Sequence, residues 1–342
     1  EFLIAYNIDL NTRDRKLASE IALDIRESGR AQRDGDGTIV RDGEGNAVKI
    51  PGRFPFVKAV GWYIEDYGIA QISINFTNTK VSPVHVVFDE VCRLADERGL
   101  RVTGSELVGL IPKDALLAAG RHYLDRQGKS PGVPEEELIR TAVRSLGLND
   151  VAPFEERKKV IEYQFAGLSG PLVRRSLREF ANELSTDSPT PGGGSVAALC
   201  GALSAGLSAM VANLTVGKKG YESAARLMAQ TAVKAQELKD ECLRIVDEDT
   251  AAFNAVMDAF RLPKSTDAQK SGREAAVEAA TKEATRVPFR LLGASLDLVK
   301  LARTAARRGN RNSLSDAGVA ALAARTAAEG AAYNVRINLA GL

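Results

Sequence analysis

Apolar positions change their spacing often before residue 165 and settle to a helical period after residue 170. The opening run FLIAYNIDL (2–10) reads as a strand, and residues 13–28 place their apolar side chains on one helical face. The stretch RDGDGTIVRDGEGN (33–46) is polar and glycine-rich and predicts a mobile loop. Two β-like runs follow in VKAVGWYIEDYGIAQISINFTN (57–78), broken by EDYG, which predicts a hairpin. SPVHVVFDEVCRLADERG (82–99) is a helix with Pro83 near its start and Gly99 at its end, and RVTGSELVGLIP (101–112) returns to a strand. Strand, helix, hairpin, helix, strand predicts an α+β domain, a ferredoxin-like α/β sandwich.

The second half is alanine-rich and nearly all helix. Helices are predicted at about 172–185, 195–215, 221–260, 266–308 (with room for a kink at Pro288) and 314–340, which together make an all-α helical bundle. Gly167, Ser169, Gly170 and Pro171 fit a linker. The expected boundaries are a first domain at 1–164, a linker at 165–171 and a bundle at 172–342. No internal repeat is evident.

Totals bound the function. With 342 residues, 44% hydrophobic and 26% charged, the chain has room for two cores. A net charge of +2 argues against a nucleic-acid partner. Cys92, Cys200 and Cys242 are far apart and odd in number, which favours a reducing, cytoplasmic setting over a disulfide framework. The chain opens without Met or a basic leader, as if within a strand, and something upstream is expected. Residues 196–214 carry no charge and are long enough to cross a bilayer. They are also rich in Ala, Gly and Ser, hold Asn213 and lack an aromatic belt, so a tightly packed core helix is expected and no membrane role.

DSPTPGGGS (187–195) stands at the door of that helix. It is neither of the glycine-rich nucleotide fingerprints. Three glycines strip the turn of side chains, and Ser195 is expected as the N-cap of a helix whose free N–H groups could meet a ligand. A tight turn with a helix cap explains the same residues without a ligand. Further on, Cys242, Ile245, Asp249, Phe253, Val256 and Phe260 step by three or four and form one stripe, five apolar residues and one carboxylate. Asp249 therefore points where the helix should bury its side chains, which marks either a structural ion pair or a functional acid. Lys218 and Lys219, between Gly217 and Gly220, are solvated charges or anion ligands. Asn312, Ser313, Ser315 and Asp316 begin the last helix, as N-caps or as hydrogen-bonding partners of a polar ring. His85 and His122 are the only histidines, both in the first half, so acid–base chemistry in the bundle must use other groups, and no metal site is expected.

Taken together, DSPTPGGGSVAAL, MVANLTVGKKGYE, DEDTAAFNAVMDAFRLP and SLSDAGVAA…AAYNVRINLAGL resemble, in order, the cyclodeaminase domain of the bifunctional formiminotransferase-cyclodeaminase family. VGWYIEDYG, SELVGLIP and APFEERKKVIEYQF resemble the C-terminal subdomain of the family's transferase module. Nothing here matches the N-terminal subdomain that carries the family's catalytic histidine, so an incomplete transferase module is expected, active only if that subdomain is supplied. The resemblance implies closure of 5-formiminotetrahydrofolate to 5,10-methenyltetrahydrofolate with release of ammonia, in histidine degradation. Tetrahydrofolate, with or without a polyglutamylated tail, would be the substrate carrier, with no metal. Asp249 matches the family's proposed catalytic aspartate. Pro191, Gly192, Gly193, Gly194, Ser195, Asn213, Lys218, Lys219, Asn312, Ser315 and Asp316 would bind the pterin and the glutamate tail. The family site lies between subunits, which implies a homodimer or larger ring. A methenyltetrahydrofolate cyclohydrolase and a non-catalytic folate-binding module are the alternatives.

Overall fold

Strand β1 (Ile4–Leu10) is the hub of the first half's sheet, flanked by partners on both edges. After it come α1 (Arg15–Ile25), the short strands β2 (Arg30–Ala31) and β3 (Lys49–Ile50), the hairpin β4 (Val57–Ile64) and β5 (Ile69–Phe76), α2 (Val84–Asp96) and β6 (Val102–Val108). The main sheet runs β4-β5-β1-β6, antiparallel at every step, with Tyr6 opposite both Ile74 and Leu107. Period-two alternation explains the buried face: Ile4, Tyr6, Ile8, Leu10, Ile72, Ile74 and Phe76 are almost wholly enclosed. Helices α3 (Lys113–Arg126), α4 (Glu135–Leu146), α5 (Glu156–Lys159) and α6 (Ile161–Phe165) complete this half. The computed structural model describes residues 3–165 and 170–340. It divides into two units, Glu1–Gln127 with Glu135–Gly167, and Gly128–Pro134 with Leu168–Leu342. Residues 166–169 of the expected linker lie outside the described residues.

The expected mobile loop at 33–46 is instead a hydrogen-bonded ribbon. RDGDGT and RDGEGN are a short repeat that the sequence reading passed over. Asp34 Oδ1 accepts from the N–H groups of Asp36 and Thr38, and Asp42 Oδ1 accepts from those of Glu44 and Asn46. Each aspartate thereby closes its own turn.

Two buried ionisable groups in this unit oppose each other. Burial, then the neighbouring His122 ring, push His85 down to about 4 from an ordinary 6.5, against a smaller pull from Asp89. Burial pushes Asp9 up to about 6 from 3.8, against the Gln71 hydrogen bond and helped by Asp150 and Glu106. Between pH 4 and 6.5 the unfolded chain protonates His85's site first, so acid destabilises the fold through it. Between pH 6 and 3.8 the folded chain protonates Asp9 first, so acid stabilises the fold through that group. The two slopes offset each other. In urea titrations read by Trp62, the chain's one tryptophan, Asp9→Asn should make stability rise more steeply with pH than in the parent. His85→Gln should do the opposite. Variant curves parallel to the parent's would refute the opposition.

The second unit holds α7 (Leu177–Leu184), α8 (Gly193–Asn213), α9 (Ala225–Phe260), α10 (Asp267–Arg308) and α11 (Leu314–Leu339). Helix α7 starts five residues later than expected, because Ser176 and Glu179 form a capping box there. The Leu172 N–H is taken by Asp247 Oδ1 at 2.7 Å. Helix α8 is the core of the unit, with Ala197, Ala198, Ala202, Ala205 and Ala209 buried against α9, α10 and α11. Ser195 meets Val246, Gly201 faces Cys242, and Ala212 packs on Met228, so α8 and α9 run antiparallel. By length and composition α8 is the one described helix able to cross a bilayer, and 61% of that window is buried inside the unit.

Pro288 lies buried inside α10, which continues through it. Proline has no N–H to offer the Ala284 carbonyl four residues back. Asn338 of α11 supplies the donor, its Nδ2 lying 2.7 Å from that oxygen.

Candidate functional site

Asp249 sits on α9 level with the first turn of α8. Ser195 Oγ donates to the Val246 carbonyl at 2.8 Å and lies 3.2 Å from both Asp249 Oδ2 and Thr250 Oγ1. Burial pushes the Asp249 carboxyl above its ordinary 3.8, and hydrogen bonds from the Ser195 hydroxyl and N–H pull part of the way back. Among the described residues no cation pairs with Asp249, whereas its neighbour Glu248 pairs with Arg290 at 2.8 Å. The structural ion pair that could have explained a carboxylate on this stripe is therefore absent. A half-buried, uncompensated acid held by a serine is suited to carrying a proton.

The stripe itself is corrected. Cys242 and Ile245 are buried as expected, but Phe253 and Phe260 are 38% and 47% exposed within the single chain. The apolar face continues past the helical core and ends uncovered.

The three glycines do different work. A β-carbon on Gly194 would lie 2.6 Å from Asp249 Oδ2 and closer still to Oδ1, so the carboxylate occupies the space a side chain would need. A β-carbon at Gly192 or Gly193 would meet only the Pro189 carbonyl oxygen at 3.5 Å or Asn334 Nδ2 at 3.8 Å, ordinary contacts, so the peptide there is bare without being crowded. Ser195 is not the N-cap. Helix α8 begins at Gly193 with Gly192 as its cap and no side-chain cap bond, and Ser195 lies inside the first turn. The serine is drawn there because its hydroxyl is spent on α9.

The remaining expected residues gather elsewhere. Asn213 closes α8, its Nδ2 donating to the Gly132 carbonyl at 2.8 Å. Lys218 Nζ lies 2.8 Å from Asn310 Oδ1, and Lys219 is exposed. Asn310, not Asn312, Ser313, Ser315 or Asp316, caps this region: its side chain accepts from the Asn312 N–H, and Ser313 makes no cap bond. Asn312 and Ser315 are left exposed and Asp316 half-buried. Twenty helical rises separate the ends of α8, so Pro191 to Ser195 and Asp249 lie about 30 Å from the Lys218 group within one chain.

Residues 176–342 match the family model for formiminotransferase-cyclodeaminase, and residues 5–166 match the model for the formiminotransferase domain. The formimidoyltransferase-cyclodeaminase of Mus musculus is 38% identical over 342 residues, covering 99% of this chain and 60% of that protein. A methenyltetrahydrofolate cyclohydrolase of Methylorubrum extorquens is 41% identical over 167 residues, 49% of this chain and 80% of that protein. The chain belongs to the formiminotransferase-cyclodeaminase family. A crystal structure of formiminotetrahydrofolate cyclodeaminase from Thermotoga maritima is 33% identical, covers 50% of this chain and 81% of its own, and superposes with a TM-score of 0.44.

The chain spans about 60% of the length of the formimidoyltransferase-cyclodeaminases it matches. The expectation of an incomplete transferase module finds no support in these matches, since the formiminotransferase-domain model covers residues 5–166. Among the described residues no group of three or more His, Cys, Asp or Glu side chains could hold a metal ion. The sequence reading missed three residues of this family member's two clusters: Thr250 beside Ser195, Asn334 facing Gly193, and Asn310 beneath Lys218. Thr250 follows Asp249 directly, and Asn310 follows a helix-ending glycine, so both left a local signal. Asn334 left none, because its place depends on how α11 packs against α8.

Proposed function

We propose that the helical unit closes 5-formiminotetrahydrofolate to 5,10-methenyltetrahydrofolate with release of ammonia, and that Asp249 carries the proton. The observation behind this reading is the uncompensated, upward-shifted Asp249 carboxyl beside bare peptide at Gly192 and Gly193. With the formimino group entering as its cation, N10 attacks the formimino carbon and forms one C–N bond. The carboxylate takes the N10 proton and returns it to the departing NH2, the second C–N bond breaks, and ammonia leaves. Asp249 ends as it began, and the positive charge stays on the methenyl product. Tetrahydrofolate is thus the carrier of the reacting carbon. We read the first unit, with its strand-helix-hairpin-helix-strand order, as a ferredoxin-like domain serving glutamate formimidoyl transfer.

The Lys218 group enters the same site through a second copy. An antiparallel pair would set Lys218, Lys219, Asn312, Ser315 and Asp316 of one subunit near the Asp249 end of the other, and would cover apolar residues left exposed here, among them Leu203, Met210, Leu322 and Ile337. Equal amounts of methenyltetrahydrofolate and free ammonia, formed from synthetic 5-formiminotetrahydrofolate, are the expected result. Mixing inactive Asp249→Asn and Lys218→Ala subunits should restore about a quarter of parental turnover, since half the dimers are mixed and each has one intact site. No recovery, with subunit exchange demonstrated, would refute the shared site. The likeness to a methenyltetrahydrofolate cyclohydrolase favours a second reading, hydrolysis of the methenyl bridge. Turnover of methenyltetrahydrofolate with no ammonia from the formimino substrate would select it.

A further inference from the structure

Phe253 stands one turn beyond Asp249 on the same face of α9. Because α9 runs antiparallel to α8, that turn carries it about 6 Å past Gly194, to the level of the Thr190–Gly193 bend. There it is 38% exposed and belongs to no buried cluster of the unit. Its surroundings are complementary in kind. The same helical rises set it toward the turn that carries the bare peptide of Gly192 and Gly193, and the carboxyl of Asp249 lies one turn below it on α9. A large flat apolar ring, bare backbone and one hydrogen-bonding acid are together the surfaces that a planar heteroaromatic system with polar edges would use.

We propose that Phe253 is the wall on which the pterin ring of the folate lies, one turn along α9 from Asp249. This rests on the assignment of the folate site to Asp249. The role is one of affinity: Phe253 donates no proton, and stacking acts alike on substrate and transition state, so its loss falls on KM more than on kcat.

The test measures binding of 5-formyltetrahydrofolate, a stable analogue, and turnover of the formimino substrate, in Phe253→Ala, Phe253→Tyr and Phe260→Ala. Phe260 lies two turns further along the same stripe, 47% exposed and next to Arg273, and serves as the control for a general loss of apolar surface. Phe253→Ala should weaken binding about 5- to 140-fold, the range of one lost ring stack, and raise KM correspondingly with kcat nearly unchanged. Phe253→Tyr should bind like the parent, and so should Phe260→Ala. Parental binding by Phe253→Ala would overturn this proposal alone. So would equal losses in Phe253→Ala and Phe260→Ala accompanied by a smaller oligomer in sedimentation, which would place both rings in a subunit contact. Failure of the parent protein itself to bind 5-formyltetrahydrofolate would overturn the folate site and this wall together.

Discussion

Gly194→Ala is expected to abolish ammonia release and to lower the melting temperature of the helical unit. The added β-carbon would sit 2.6 Å from Asp249 Oδ2, well inside contact distance. Neither partner has an easy retreat. The Ser195 hydroxyl ties the first turn of α8 to the Val246 carbonyl, and α9 is held there by buried Ile245 and Val246. Overpacking of this kind costs about 1–3 kcal/mol. The methyl group also evicts the carboxylate from the position where it faces the open turn. Gly192→Ala and Gly193→Ala meet no such obstacle and should melt like the parent. The double variant Gly194→Ala, Asp249→Ala relieves the overlap and should recover most of the lost stability, a coupling that a double-mutant cycle of melting temperatures would measure. Normal turnover by Gly194→Ala would show that the contact between this glycine and the carboxylate is dispensable.

Asp249→Asn should separate catalysis from folding in the opposite sense. The amide keeps the shape of the carboxyl and can still accept from Ser195, but it cannot move a proton. Turnover should fall by about 10²- to 10⁴-fold, the usual worth of a positioned acid–base group. Stability should not fall with it. Burial raises the Asp249 pKa, so the charged carboxylate is a burden on the folded state once the pH exceeds that raised value. A neutral amide removes the burden, and the variant should melt at the same temperature as the parent or higher at pH 7, with the gain gone below pH 3.8, where both chains are neutral at this position. A drop of several degrees with turnover intact would make Asp249 a structural residue.

Much of this was legible in the chain because it depends on local periodicity. The stripe from Cys242 to Phe260 located an acid on an apolar face, and the hairpin at EDYG closes where expected, between Ile64 and Ile69. The errors share a cause, which is that a side chain's partner lay far away in sequence. Ser195 looks like a helix cap until α9 arrives 51 residues later to claim its hydroxyl. Gly194 looks like part of a flexible turn, though its bareness is dictated by a carboxylate 55 positions on. The 30 Å separating Asp249 from Lys218 could not be read from motifs that follow each other closely along the chain, because the helix between them runs the whole height of the bundle. At 33–46 the cause is local: polar, glycine-rich composition predicts a mobile loop, whereas the aspartates within it close their own turns.

The bond between Asn338 and the Ala284 carbonyl has a consequence for how α11 finds its place. Buried Ala317, Ala320, Ala324, Ala327 and Ala331 give that helix an almost featureless inner edge. Where α11 meets the alanines of α8, little besides the Ser204 bond to the Ala320 carbonyl distinguishes one alignment from another a turn away. Pro288 breaks that degeneracy by leaving one acceptor unfilled on α10, which a single alignment of Asn338 can satisfy. Any slide strands a buried carbonyl, at a cost of about 1–3 kcal/mol. The proline thus works as a notch on an otherwise smooth rail, trading one backbone bond for a unique seating of the last helix.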